Sequence, residues 1–266
     1  MFFNPENLTK RNRMKKLIFT IFVLISFIAG SFAQYSRSGD DKGLSIGVFG
    51  GLNIPRLSGG NGNELSRDYS SRSGVAAGLT SSLDLSSHFS LRVDFMYSSE
   101  GGRRDGIQAF DASSFSPLLP PGTYLYASYN NESILNYAEI PILLKYLFPV
   151  NKASKFYADF GPYVGFLLNA RQKTSGSSII YADRGETITV VPQDQSFDAS
   201  TDISKSINHL NVGLTGGLGF LQKLGFGQVF IDVRGAYGLM VIQKEKANGS
   251  SHNGNLLIDL GYSIHL

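Results

Sequence analysis

Charged residues in this chain fall at alternate positions among apolar ones. Arg92 and Asp94 stand two apart, as do Asp232 and Arg234, and Glu139, Lys145, Asp159 and Asp259 are each flanked by apolar residues. On an extended chain, positions two apart point to the same side. Bases and acids brought together in this way could form ion pairs, line a narrow path for ions, or pass protons. Charges removed from water need partners. The expected arrangement is therefore a packed network of ion pairs formed by Arg92, Asp94, Glu139, Lys145, Asp159, Asp232, Arg234 and Asp259, with Tyr157 and Tyr163 on the same side.

Catalytic and metal chemistry find little support. His88, His209, His252 and His265 form no H-E-x-x-H pattern, and the chain has no G-x-x-x-x-G-K-[ST] phosphate loop. It has no Cys, hence neither disulfides nor a thiolate metal site. The expectation is a protein that is not an enzyme and carries no cofactor or metal. A second candidate site lies in the stretch 99–133, which holds Gly101-Gly102-Arg103-Arg104-Asp105 and then Tyr124, Tyr126 and Tyr129. Tyrosines on loops add contact area at small entropic cost. Arg103, Arg104, Tyr124, Tyr126 and Tyr129 are thus the expected partner surface.

The elements that must position these residues are strands. In 89–98, Phe89, Leu91, Val93, Phe95 and Tyr97 share one face, while Arg92 and Asp94 lie on the other. The same period-two pattern marks 43–53, 73–85, 134–147, 155–170, 208–221, 227–239 and 256–266. Every charge in these segments falls opposite the apolar face. A basic residue at the middle of a bilayer costs about 2–4 kcal/mol, so an uncharged face is what lipid demands. Connections alternate in length: 54–72, 99–133 and 171–207 are long, whereas 86–88, 148–154 and 222–226 are short. Long outer loops and short periplasmic turns are the outer-membrane arrangement. The predicted fold is all-β, a closed antiparallel transmembrane β-barrel of eight strands over 43–266. A further membrane hairpin from 177–182 and 186–191 would make ten, but spanning strands need about 9–11 residues, so eight is preferred. Pro141 and Pro162 lie within strands, where a proline cannot donate to the ladder, and they predict bulges.

The front of the chain sets the compartment. Met14-Lys15-Lys16, the apolar run Leu17 to Ala29, and Ser31-Phe32-Ala33 have the order of a secretory signal peptide. Residues 1–33 are read as signal, with 1–13 an upstream extension, and 34–42 as a short periplasmic lead. Lys10, Arg11, Arg13, Lys15 and Lys16 against Glu6 lie in the signal, so its removal turns a net charge of +3 into −1. Nucleic acid is therefore not an expected partner, because no basic excess remains to neutralise phosphates. An eight-stranded interior is just wide enough to be filled by side chains, which excludes a general diffusion pore.

The run Leu135-Asn136-Tyr137-Ala138-Glu139-Ile140-Pro141-Ile142-Leu143-Leu144-Lys145-Tyr146 resembles a strand of PorT-like outer-membrane β-barrel proteins of the Bacteroidota. Gly47-Val48-Phe49-Gly50-Gly51-Leu52-Asn53 and Phe160-Gly161-Pro162-Tyr163-Val164-Gly165 resemble two further strands of that family. The resemblance covers roughly 43–266. It implies an outer-membrane location and, more distantly, a link to protein secretion or surface-protein handling. The terminal strand Ile258 to Leu266 resembles the segment that barrel assembly machinery recognises, although Leu266 stands where an aromatic is commoner. The expected partners are outer-membrane lipid, the assembly machinery during biogenesis, and a secretion-system or surface protein. The alternatives are a narrow channel or small polar-solute transporter, and third an enzyme with a loop-borne site.

Overall fold

A computed structural model describes residues 43–114, 118–120 and 122–266. The signal segment 1–33 and the lead 34–42 lie outside the described residues. Thirteen strands follow in chain order: β1 Leu44–Ser58, β2 Gly74–Asp84, β3 Phe89–Arg104, β4 Ile107–Asp111, β5 Tyr124–Ser128, β6 Asn130–Pro149, β7 Ser154–Ser175, β8 Ser177–Tyr181, β9 Thr189–Ser196, β10 Ala199–Asp202, β11 Leu210–Leu224, β12 Gly227–Gly238 and β13 His252–His265. Among the described residues no helix is long and apolar enough to cross a membrane.

Eight of these strands form the barrel. β1 pairs with β2, β2 with β3, β3 with β6, β6 with β7, β7 with β11, β11 with β12 and β12 with β13, all antiparallel. The ring closes where β13 returns to β1, from Ser45 opposite His265 to Ser58 opposite His252. The terminal strand therefore satisfies the otherwise open edge of β1 along its whole length. At one end the strands are joined by the turns 85–88, 150–153 and 225–226, and at the other by 59–73, 105–129, 176–209 and 239–251. In an outer-membrane barrel the short turns face the periplasm.

The exterior is apolar because alternate side chains have nowhere else to point. Val48, Leu79, Phe95, Leu144, Phe160, Leu218, Ile231 and Leu260 are among the large apolar residues left exposed. No charged residue stands on this face between the turns and the outer loops. Tyr146, Phe89, Phe148 and Phe156 cluster at the short-turn end, with Phe89 and Tyr146 rings 5.1 Å apart and edge-on. That is the position of an interfacial aromatic girdle.

The strands run further outward than their alternation suggests. β6 has 20 residues and β7 has 22, about twice what spanning requires. Their outer parts stand above the membrane and continue the wall. There the segment 177–196 forms the hairpin β8–β9, which joins β4 and β5 in a second, four-stranded sheet outside the ring. The barrel has eight strands, and the hairpin of the ten-strand alternative lies in this outer sheet. β9 is an edge of that sheet and carries Pro192, where the missing donor costs least.

The bulges expected at Pro141 and Pro162 are absent. Pro141 pairs with Tyr163 and Leu144 with Phe160, so the β6–β7 register is kept across both prolines. Pro162 also stays in register opposite Leu214. Each proline removes one donor, and its neighbours hold the alignment. The register shift falls instead between Asn136 and Tyr137, opposite Leu167 to Asn169. Its extra residue reverses the alternation of β7, turning Ala170 inward and Asn169 outward, where Asn136 Nδ2 donates to Asn169 Oδ1 at 2.9 Å.

Candidate functional site: the sealed lumen and the outer vestibule

The inward face of β3 sets the centre of the lumen. Arg92 Nε donates to Asp94 Oδ1 at 2.7 Å on its own strand, and its Nη1 reaches Asp232 Oδ2 of β12 at 2.6 Å. Arg234, two residues further along β12, donates from Nη1 to Asp94 Oδ2 at 2.8 Å and from Nη2 to Asp259 Oδ2 of β13 at 3.0 Å. Three strands are thereby tied across the interior by one unbroken chain of charges. All five residues are buried, at 0–2% exposure. The Arg92 guanidinium lies 5.0 Å from the Phe230 ring centre and 5.5 Å from that of Phe49, and the Arg234 guanidinium lies 5.6 Å from that of Phe49. Aromatic faces on a buried guanidinium add attraction where water is excluded. Tyr157 Oη donates to the second oxygen of Asp232.

Large inward side chains need room, which glycine supplies. Gly219 stands opposite Tyr157 in the β7–β11 ladder. A Cβ there would lie 2.2 Å from Tyr157 Cζ. Gly261 stands opposite Phe230, and a Cβ on it would lie 2.1 Å from the ring. The glycine-rich pattern of β11 and β13 is thus the complement of the aromatic residues that fill the lumen.

The remaining predicted members face inward and are buried but take other partners. Lys145 Nζ sits over the Tyr157 ring at 3.9 Å and makes no ion pair among the described residues. Asp159 stands opposite it in the β6–β7 ladder, yet the two are not within ion-pair distance. Asp159 is buried, and neither carboxylate oxygen has a hydrogen-bond partner among the described residues. Glu139 lines a cavity of about 20 Å³ with Asn53, Ser98, Tyr163 and Arg234, enough for about one water molecule. The expected eight-member network is therefore a five-member ion-pair chain with Lys145, Asp159 and Glu139 beside it. Glu100 was not anticipated. It is buried and accepts from Asn255 Nδ2 at 2.7 Å. The even-numbered alternation of β3 continues from Arg92 through Glu100 to Arg104 and carries the signal that places it.

The expected partner surface divides. Arg103 is exposed and pairs with Asp105 at 3.2 Å. Tyr124 and Tyr126 are half-buried in β5, with Tyr126 opposite Tyr181 of β8. Arg104 and Tyr129 are not on the surface. Arg104, at 6% exposure, turns inward at the end of β3, and its guanidinium lies 4.9 Å from the Tyr69 ring. Tyr129 stacks on Phe197 with centroids 4.5 Å apart and is equally covered. Both are shielded because the loop 59–73 and the outer sheet close over this end.

One further motif, the nucleophile pattern Gly-x-Ser-x-Gly, occurs in the sequence without its structural setting. Ser45 does stand in a Gly-x-Ser-x-Gly pattern, Gly43 to Gly47, but on the straight run of β1. A nucleophile elbow needs a strand-to-helix turn, and Ser45 Oγ instead donates to the Ser82 carbonyl at 3.4 Å. Among the described residues no group of three His, Cys, Asp or Glu could hold a metal ion.

An eight-stranded closed ring with an uncharged apolar exterior and an interior packed with paired charges is an integral outer-membrane β-barrel. The chain belongs to the outer membrane protein beta-barrel domain family, whose description matches residues 32–243. That membership places it in the outer membrane. Similar solved structures include Neisserial surface protein A (10% identity, TM-score 0.39, covering 83% of this chain and 96% of that one). They also include Ail, the attachment invasion locus protein of Yersinia pestis (12%, 0.34, 83% and 98%), and OprG from Pseudomonas aeruginosa (10%, 0.38, 85% and 97%). Likeness at this level carries nothing about activity. No curated protein sequence matches the chain.

Proposed function

We propose that this barrel is a non-conducting interaction protein of the outer membrane, an accessory of protein secretion or surface-protein handling that assigns its membrane part to anchoring and its outer sheet to contact. The observation that carries this reading is the ion-pair chain through Arg92, Asp94, Asp232, Arg234 and Asp259, buried at 0–2% exposure. Paired charges held against aromatic rings block diffusion through the lumen. Opening a path would separate buried charges, at about 3–5 kcal/mol for each pair broken. The outer sheet supports the contact role, because Val190 of its edge strand β9 and Ile188 just before that strand are exposed. Single exposed apolar residues are ordinary on soluble surfaces, but these stand on a sheet that the barrel does not need for closure. The secretion assignment draws on the PorT-like resemblance of β6. The reading gives the protein no catalytic step.

The test is a photo-crosslinking residue placed at Val190 in native outer membranes, together with conductance in planar bilayers. The reading expects a reproducible partner, lost when the β8–β9 hairpin is shortened, and no conductance steps. Discrete conductance that changes with Arg92→Gln, with no partner captured, would replace it with the narrow-channel reading.

A further inference from the structure

The outer end of the barrel encloses a cavity of about 360 Å³ between the top of the lumen and the outer sheet. Its floor is apolar: Leu57, Leu135, Ile207 and Ile242 are buried in one cluster that caps the charged interior. Into the same cavity comes Arg104, 94% buried. No hydrogen-bond acceptor and no carboxylate meets it among the described residues, and its Nε is buried without a partner. The Tyr69 ring, 4.9 Å away, holds the guanidinium from one face and leaves the donor edge free.

A buried guanidinium without a counter-charge is costly. In the lumen below, Arg92 and Arg234 each have two carboxylates. Each still leaves one nitrogen without a partner, Arg92 Nη2 and Arg234 Nε, but both charges are neutralised, whereas Arg104 has no carboxylate among the described residues, and that contrast in charge points to a ligand. The geometry points to a binding site for a small organic monocarboxylate with a compact apolar body, its carboxylate on Arg104 and its body on the Leu57–Leu135–Ile207–Ile242 floor. A planar guanidinium fits a carboxylate with two parallel hydrogen bonds. The apolar floor rewards a hydrocarbon or aromatic body at about 25 cal/mol for each Å² it covers. The cavity is at the small end of the range for ligand pockets, which limits the body to roughly one ring or a short chain. Asp111 also lines it, with Oδ1 accepting from Ser113 N at 2.8 Å and from Ser113 Oγ at 2.6 Å. Arg104 is the one basic side chain among the described residues that line the cavity, so the site neutralises a single carboxylate. The inference does not rest on the interaction reading and holds whether or not the lumen conducts.

The full-length protein in lipid nanodiscs is titrated calorimetrically with 4-phenylbutyrate and, in parallel, with 4-phenylbutan-1-ol, which has the same skeleton without the charge. The expected result is saturable binding of one phenylbutyrate per chain, with the alcohol weaker by about tenfold or more, the usual worth of hydrogen bonds to a charged group. Arg104→Gln removes that preference, and Arg104→Lys keeps part of it, each variant first shown to be folded by its heat-dependent gel shift. No saturable binding, or equal binding of acid and alcohol by the unaltered protein, overturns the site. So does a folded Arg104→Gln protein that still prefers the acid, since that binding would belong to the lysine-lined opposite mouth of Lys145, Lys152, Lys155 and Lys223. If Arg104→Gln does not fold, Arg104→Lys decides: a folded Arg104→Lys protein that keeps the whole preference for the acid overturns the site, and a reduced preference supports it.

Discussion

Tyr157 and Gly219 face each other across the β7–β11 ladder, and the tyrosine ring fills the space a Cβ on Gly219 would occupy, 2.2 Å from Cζ. From that place the Tyr157 hydroxyl reaches Asp232 and its ring face carries Lys145. Glycine on one strand thus sets the position of a phenol that touches two of the lumen charges. Gly219→Ala forces the ring aside and is expected to destabilise the barrel by about 1–3 kcal/mol, as overpacking does. Tyr157→Phe, which keeps the ring and removes the hydroxyl, should cost less, about 1 kcal/mol. Unfolding by denaturant in lipid vesicles measures both, and a smaller loss for Gly219→Ala than for Tyr157→Phe contradicts the packing described.

Arg92 bridges Asp94 and Asp232, at 2.7 and 2.6 Å. Replacing it by Met leaves Asp232 without its guanidinium and should cost about 3–5 kcal/mol. Adding Asp232→Leu to Arg92→Met removes both charges of that pair, and the double variant should recover part of the loss. A double-mutant cycle by equilibrium unfolding reads the coupling directly. Losses that simply add would mean that the two charges do not act as a pair.

The lipid face predicts a dependence on depth. Leu218 and Leu260 are 68% and 60% exposed in the middle of their strands. Leu218→Arg should destabilise by about 2–4 kcal/mol, whereas Leu239→Arg, just beyond the outer end of β12, should cost about 1 kcal/mol or less. Unfolding in vesicles compares them. Equal costs would mean that the bilayer is not where the alternation places it.

The tip of the β8–β9 hairpin carries a pH-sensitive turn. Asp183 Oδ1 accepts from the Ile188 and Thr187 amides at 2.7 and 3.1 Å. These backbone donors hold its carboxyl below the usual carboxylate range, with the Ile188 amide the leading contribution after which burial opposes it. A lowered folded value means the turn is supported above the ordinary carboxylate range and loses that support as pH falls through the lowered value. The Ile188 and Thr187 amide resonances should therefore shift only at the acid end of an NMR titration, below the midpoints of exposed carboxylates. In Asp183→Asn the same resonances should stay level.

How much of this was legible in the sequence follows from what lipid forbids. Outward positions cannot be charged at mid-bilayer, so Arg92, Asp94, Asp232, Arg234 and Asp259 had to point inward, and alternation alone placed them. Alternation does not say which charge meets which. Arg92 and Asp232 are 140 residues apart, and only the closure of eight staggered strands sets them side by side. Lys145 and Asp159 answered the same pattern and stand opposite each other in the β6–β7 ladder, yet they form no close ion pair among the described residues. Arg104 and Tyr129 were misplaced for a related reason. Gly101-Gly102 reads as a break, whereas β3 runs through it, with Gly101 at a φ of 115°, and the inward period carries on to Arg104. Pro141 misled in the other direction, because neighbouring ladder bonds held a register that one missing donor could not shift.

The sequence by itself determined the apolar exterior, a preference for eight spanning strands over ten, the alternation of short turns with long connections, and the side of the wall on which the charges of the spanning segments lie. These follow from a period of two and from the cost of charge in lipid, which act locally along each strand. The tertiary structure decided the pairing of the charges, the sealing of the lumen, the outer sheet made from segments remote in the chain, and the enclosure of Arg104 above an apolar floor. Those depend on strand stagger and on loops folding over one another, and no local pattern encodes which distant residue arrives at a given height in the barrel.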